Sequence, residues 1–157
     1  RRIGLLRDPT NFGTTTVATA TTRRQIYATI FSSVSGTFTA DEEINQASTG
    51  AVGKVIEYDS TNKILYYYQT RFPDVGTDSD GNLTAFSGAN AITGQSSSAS
   101  ATPNTSNSTT TNGVVFVSGY SNPELAFDSG DIIYVEERSP ITRASDQTEN
   151  IKLIIEF

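Results

Sequence analysis

Apolar and polar positions along the chain alternate with a period of two far more often than with a helical period, which predicts strands. Gln25 to Phe31 is rich in β-branched and aromatic residues, as a half-buried strand is. Ala51 to Tyr58 and Lys63 to Thr70 flank Asp59-Ser60-Thr61-Asn62, a polar tetrad that suits the turn of a hairpin. Within the second arm Tyr66 and Tyr68 fall on one face and Tyr67 on the other, so both faces of that strand are expected to be covered. Val114 to Ser118 and Ile132 to Glu136 read as short strands bounded by turn residues. The last run, Asn150 to Phe157, places Ile151, Leu153, Ile155 and Phe157 on one face, and Lys152, Ile154 and Glu156 on the other. It is expected to be a sheet strand with one buried face. Helix signals are poor. Thr39-Ala40-Asp41-Glu42-Glu43 could start a single helical turn, but an acidic turn between strands is preferred, and Ser145 to Asn150 could form another short turn.

These elements predict an all-β fold, mostly antiparallel, as a β-sandwich or layered sheet with long exposed loops and little helix. Residues 1–157 are expected to form a single β domain, the C-terminal part of a longer protein. The stretch 77–112 is expected to be a polar loop excursion within it. Its core, Gly94 to Asn112, holds 11 Ser or Thr among 19 residues, carries no charge, and offers few large apolar side chains to bury.

Composition narrows the chemistry. The 157 residues include no Cys, His, Met or Trp. Disulfides, thiolate nucleophiles, cysteine zinc sites and histidine-based triads are therefore outside its repertoire. With 17 acidic residues against 11 basic, the net charge is −6, which disfavours phosphate-rich partners; no nucleic acid and no membrane partner is expected. Eight of the eleven basic residues are Arg, a residue suited to planar, bidentate contacts with carboxylates at protein interfaces.

Few candidate sites survive comparison with plainer readings. Asp78-Ser79-Asp80-Gly81-Asn82 spaces oxygen ligands like part of a calcium loop, but Ser87 stands where such a loop needs a Glu, and a plain turn is preferred. Glu136 and Glu137 point to opposite faces of a strand and cannot form a glycosidase pair. They and Asp41, Glu42 and Glu43 read as a solvated acidic surface, or as partners of Arg138 and Arg143. Asn82, Asn104 and Asn107 begin glycosylation sequons of the kind chance produces in an Asn/Ser/Thr-rich tract. The Arg1-Arg2 and Arg23-Arg24 pairs read as solvated, or as partners of a neighbouring subunit's carboxylates. Arg138 and Arg143 flank Ser139-Pro140-Ile141-Thr142, where Pro140 should interrupt strand pairing and expose the segment. Arg138, Pro140 and Arg143 are thus the candidate interface residues, with intrachain pairing to Glu136, Asp146 or Glu149 as the alternative.

Two terminal stretches look familiar. Gly130-Asp131-Ile132-Ile133-Tyr134-Val135-Glu136-Glu137-Arg138-Ser139-Pro140-Ile141-Thr142-Arg143 and the run from Asp146 to Phe157 together resemble the C-terminal end of a baseplate wedge protein. The family is the gene-eight product of T-even-like contractile-tailed bacteriophages. Arg2-Ile3-Gly4-Leu5-Leu6-Arg7-Asp8-Pro9 resembles the segment opening the C-terminal half of the same family, and Thr49 through Gln69 resembles a hairpin unit of phage structural proteins. The resemblance implies a virion structural protein of the tail baseplate, made in the host cytoplasm, mostly β, without catalysis or cofactor. It also implies contact with other baseplate wedge proteins and a homodimer in the full-length form. Two other classes stay open beside it: a carbohydrate- or receptor-binding tail module using exposed tyrosines, and a hydrolase using two carboxylates from distant segments.

Overall fold

The computed structural model describes residues 2–22, 24–69, 76–127 and 129–137. Eleven strands are present and no helix is found among the described residues. In chain order they are β1 (Arg2–Arg7), β2 (Tyr27–Ser35), β3 (Glu43–Gln46), β4 (Ala51–Asp59), β5 (Ile64–Tyr68) and β6 (Ile92–Gly94). Then follow β7 (Ser100–Pro103), β8 (Thr110–Thr111), β9 (Val114–Val115), β10 (Tyr120–Ser121) and β11 (Asp131–Glu137). The all-β, antiparallel expectation holds.

The layers arise because the main sheet closes on itself. Its order is β10-β2-β5-β4-β3-β6-β7, and β7 also pairs with β2. Long strand β2 makes closure possible: Tyr27 to Ile30 pair with β5, while Phe31 to Ser35 pair with β7. Every pairing in the ring is antiparallel. β10 fills the remaining edge of β2, opposite Ala28 and Thr29. Closure gives each of the six ring strands, β2 to β7, a partner on both sides.

The hairpin predicted around Asp59 is β4–β5. One Asp59 carboxylate oxygen accepts the main-chain N–H groups of Thr61 and Asn62, at 3.0 and 3.1 Å, and Lys63 takes the left-handed conformation that completes the turn. Leu65 and Tyr67 face the barrel interior with Phe31, Phe38, Ile44, Val55, Phe86 and Ile92. Ile64 and Tyr66 face outward, against Ala28, Ile30, Val114 and Phe116. Both faces of the tyrosine strand are covered, as its alternation requires.

The 77–112 stretch is not the exposed excursion expected of it. It supplies β6, β7 and β8, and β7 closes the barrel. The inward positions of β7 and its approach are Ala99, Ala101 and Pro103, all buried, while Ser100 and Thr102 alternate between them. Small residues are needed here because the barrel is narrow. A side chain on Gly36 would come within 3.2 Å of the Ala99 Cα. A strand whose inward residues are alanine and proline alternates correctly but carries little hydrophobic signal. Val114 to Ser118 is strand only at Val114–Val115, after which Phe116 drops into the outer cluster.

Candidate functional site

β1 and β11 stand apart from the barrel as an antiparallel two-stranded ribbon. Opposed residues share a face, so Leu5 sits with Tyr134 and, after a register shift between Leu5 and Leu6, Leu6 sits with Ile132. Adjacent Leu5 and Leu6 point to opposite faces, so both faces of the ribbon carry apolar side chains. These are exposed: Leu5 is 55% and Leu6 49% accessible, Ile132 69% and Val135 63%. Ile3, Ile133 and Tyr134 are exposed beside them. The ribbon holds most of the large exposed hydrophobics among the described residues. Exposed apolar side chains are thus concentrated on this ribbon.

The base of the ribbon is fixed. Gly130 has φ +86°, and a side chain there would lie 2.8 Å from the Arg7 carbonyl, so only glycine lets the chain enter β11 so close to β1. Arg7 donates to Asp131 at 2.8 Å across the strands. Both side chains are well exposed, so the pair sets register more than it stabilises. Tyr134 donates its hydroxyl to Glu136 at 3.1 Å along one face.

The three residues expected at an interface, Arg138, Pro140 and Arg143, lie outside the described residues, as does the Asn150 to Phe157 run. They follow β11 directly in sequence. Glu136 and Glu137 lie on β11, on opposite faces as expected.

Two other expectations are corrected. Glu42 is not a solvated acid: it is 5% exposed. One of its oxygens accepts the Thr39 N–H at 2.7 Å and the Ser97 hydroxyl at 2.8 Å. The other accepts the N–H groups of Ser96 and Ser97, at 3.1 and 2.9 Å. Burial raises its pKa, but the hydrogen bonds from Ser97, Thr39 and Ser96 outweigh it and hold the carboxyl below its ordinary 4.5. This ionised side chain pins the turn between β6 and β7. Arg24 is half-buried and held within the chain. It donates to the Ile26 carbonyl at 2.5 Å, and to Ser121 Oγ and the Asn122 carbonyl at 2.7 Å each. Burial pushes its pKa down, with the charge of Glu124 opposing. Arg24 and Glu124 border an open cleft of about 540 Å³, together with Tyr66 and Asn112.

Asp78 accepts the N–H groups of Asp80 and Asn82 on one oxygen, at 2.9 and 2.8 Å, and the Asn82 amide on the other, at 3.3 Å. Its carboxylate is engaged by donors of its own loop, the geometry of a closed turn. Among the described residues no group of three or more acidic side chains is placed to hold a metal ion.

Sequence reasoning also missed two buried amides. Gln46 donates to the Asn90 carbonyl at 2.8 Å and accepts from the Ser87 N–H at 2.9 Å. Gln69 donates to the carbonyls of Val52 and Thr84, at 3.0 and 2.8 Å. Together they seat the loop that carries Phe86 into the core. A lone glutamine in a strand gives no sequence signal of this duty.

Among the described residues the fold is thus a closed antiparallel barrel with one two-stranded ribbon that exposes apolar side chains. The comparisons give that architecture a family. The family model described as bacteriophage T4, Gp8 matches residues 61–157, from the β4–β5 turn through β11 to the last residue. The chain belongs to the phage Gp8 family, whose members are baseplate structural proteins. It is accordingly a virion component. No curated protein and no solved structure matches it.

Proposed function

We propose that this chain is a subunit of the contractile-tail baseplate wedge that acts by protein–protein assembly, without catalysis, and that the β1–β11 ribbon is where it meets its neighbours. The observation that carries the reading is the contrast between the two sheets. The six ring strands of the barrel each pair on both sides and bury an apolar core, whereas the ribbon holds seven of the exposed large hydrophobics among the described residues. Other wedge proteins are the proposed partners, and a sister copy in the full-length form is another. Arg138, Pro140 and Arg143 continue in sequence from the ribbon, so the proposed surface extends into that segment, with Arg able to bridge to a partner's carboxylates. Synthesis in the host cytoplasm followed by incorporation into the virion completes the reading. Native mass spectrometry of the chain with purified baseplate wedge proteins tests it. A stable complex is expected, and no association with any of them overturns it.

A second reading, a carbohydrate- or receptor-binding tail module, has the Arg24 cleft in its favour. Tyr66 could face a sugar ring while Asn112 and Glu124 accept or donate to its hydroxyls. Saturable binding on a glycan array, lost in Tyr66→Ala, is the result that favours it.

A further inference from the structure

We infer that the Asn112-Gly113 turn modifies itself: the Gly113 nitrogen displaces ammonia from the Asn112 side chain, and the acid that forms unfastens the β8–β9 hairpin from the barrel. The inference is independent of the ribbon and of the assembly reading. Of the ten asparagines in the chain, Asn112 alone precedes a glycine. The pair makes the two-residue turn between β8 and β9, with φ +49° at Asn112 and +76° at Gly113. Both residues are exposed, and both border the open cleft beside Tyr66 and Glu124. A Cβ placed on Gly113 would meet no atom within 4 Å, so solvent reaches the main chain there. Each strand of the hairpin is two residues long. A unit that short is marginal in water, so its tip opens without unfolding the barrel.

The reaction needs only water. The Gly113 nitrogen gives its proton to solvent and bonds to Asn112 Cγ; the Cγ–Nδ2 bond breaks, and Nδ2 takes up a proton and leaves as ammonia. One water then opens the cyclic imide at either carbonyl, giving aspartate or isoaspartate. The fold makes this small change consequential. Asn112 Nδ2 donates to Asp59 Oδ2 at 3.2 Å, tying the hairpin tip to the β4–β5 turn. Hydrogen bonds from Asn62 and Thr61 hold the Asp59 carboxyl below its ordinary 3.8, so it is ionised at neutral pH. Modification replaces the donor with a second carboxylate, and two like charges at this range repel. Val114 and Phe116, which follow the turn, cover Ala28, Ile30 and Ile64. Loosening the hairpin uncovers that outer cluster.

Two measurements test the inference. The 157-residue chain is held in warm, mildly alkaline buffer, then digested and mapped by mass spectrometry with electron-transfer fragmentation, which separates aspartate from isoaspartate. Conversion at Asn112 is expected to be at least tenfold faster than at Asn82, an exposed asparagine that precedes Leu83. Equal rates at the two positions overturn the self-modification and leave the pair as a turn only. Release is read by hydrogen exchange at neutral pH of the Phe116 N–H, which donates to the Thr109 carbonyl at 3.1 Å. Asn112→Asp is expected to speed that exchange at least tenfold. Adding Asp59→Asn to it is expected to restore the parent's rate, because an amide again faces a carboxylate. Unchanged exchange in Asn112→Asp, or no recovery in the double variant, overturns the release.

Discussion

Glu42→Gln is a change of one atom that should cost far more than its size suggests. The carboxylate accepts four hydrogen bonds in a site with almost no water. A glutamine can keep its carbonyl toward the N–H groups of Ser96 and Ser97, and its amide can donate to the Ser97 hydroxyl. That same amide must then face the Thr39 N–H, donor against donor. One buried donor left unmatched costs about 1–3 kcal/mol. The bonds that survive lose their charge assistance, roughly halving each. The sum is about 3 kcal/mol, or a fall in melting temperature of about 6–12 °C for a chain of this length. Acid should erase the difference. Because the folded pKa lies below the unfolded one, the ionised carboxylate contributes fully above about pH 4.5 and progressively less as pH falls through the folded value. Thermal melts followed by circular dichroism at pH 7 and again near pH 2.5 measure both effects. A variant that melts within about 2 °C of the parent at pH 7 refutes the reasoning, as does a deficit that persists undiminished in acid.

Replacing Gly94 to Asn112 with a short linker removes β7 and opens the barrel between β6 and β2; the product is expected to lose its cooperative thermal transition, and retention of a sharp melt near the parent's would show that closure is dispensable. Arg24→Lys keeps the charge but lacks the fork that reaches Ile26, Ser121 and Asn122 together. It should lower stability by about 2–4 kcal/mol in urea denaturation, whereas an unchanged midpoint would mean that these contacts contribute little.

Local features were legible in the sequence and closure was not. The β4–β5 hairpin announced itself through Asp59 and Asn62, whose side chains build the turn they occupy. The alternation of Tyr66, Tyr67 and Tyr68 reported two covered faces because period two is a property of the strand alone. β7 escaped because a crowded barrel wall selects Ala99 and Ala101, and small residues look like loop. Glu42 and Arg24 look solvated in the sequence because charge is normally exposed. Part of what holds them comes from segments far away in sequence, Ser96 and Ser97 for Glu42 and Ser121 and Asn122 for Arg24, which composition cannot reveal. The ribbon lay between the two: β11 was visible as a strand, but its isolation from the barrel depends on where the other strands close.

The central claim is that the ribbon, and not the barrel, carries assembly. It is tested most directly by Leu5→Thr combined with Ile132→Thr. Both substitutions keep β-branched or strand-compatible chemistry on exposed positions, so folding should be untouched. Association of this variant with purified baseplate wedge proteins, measured by native mass spectrometry beside the parent chain, is expected to be lost while its melting temperature stays within about 2 °C. Association at the parent's level, with an apolar side chain made polar on each strand of the ribbon, would contradict the account.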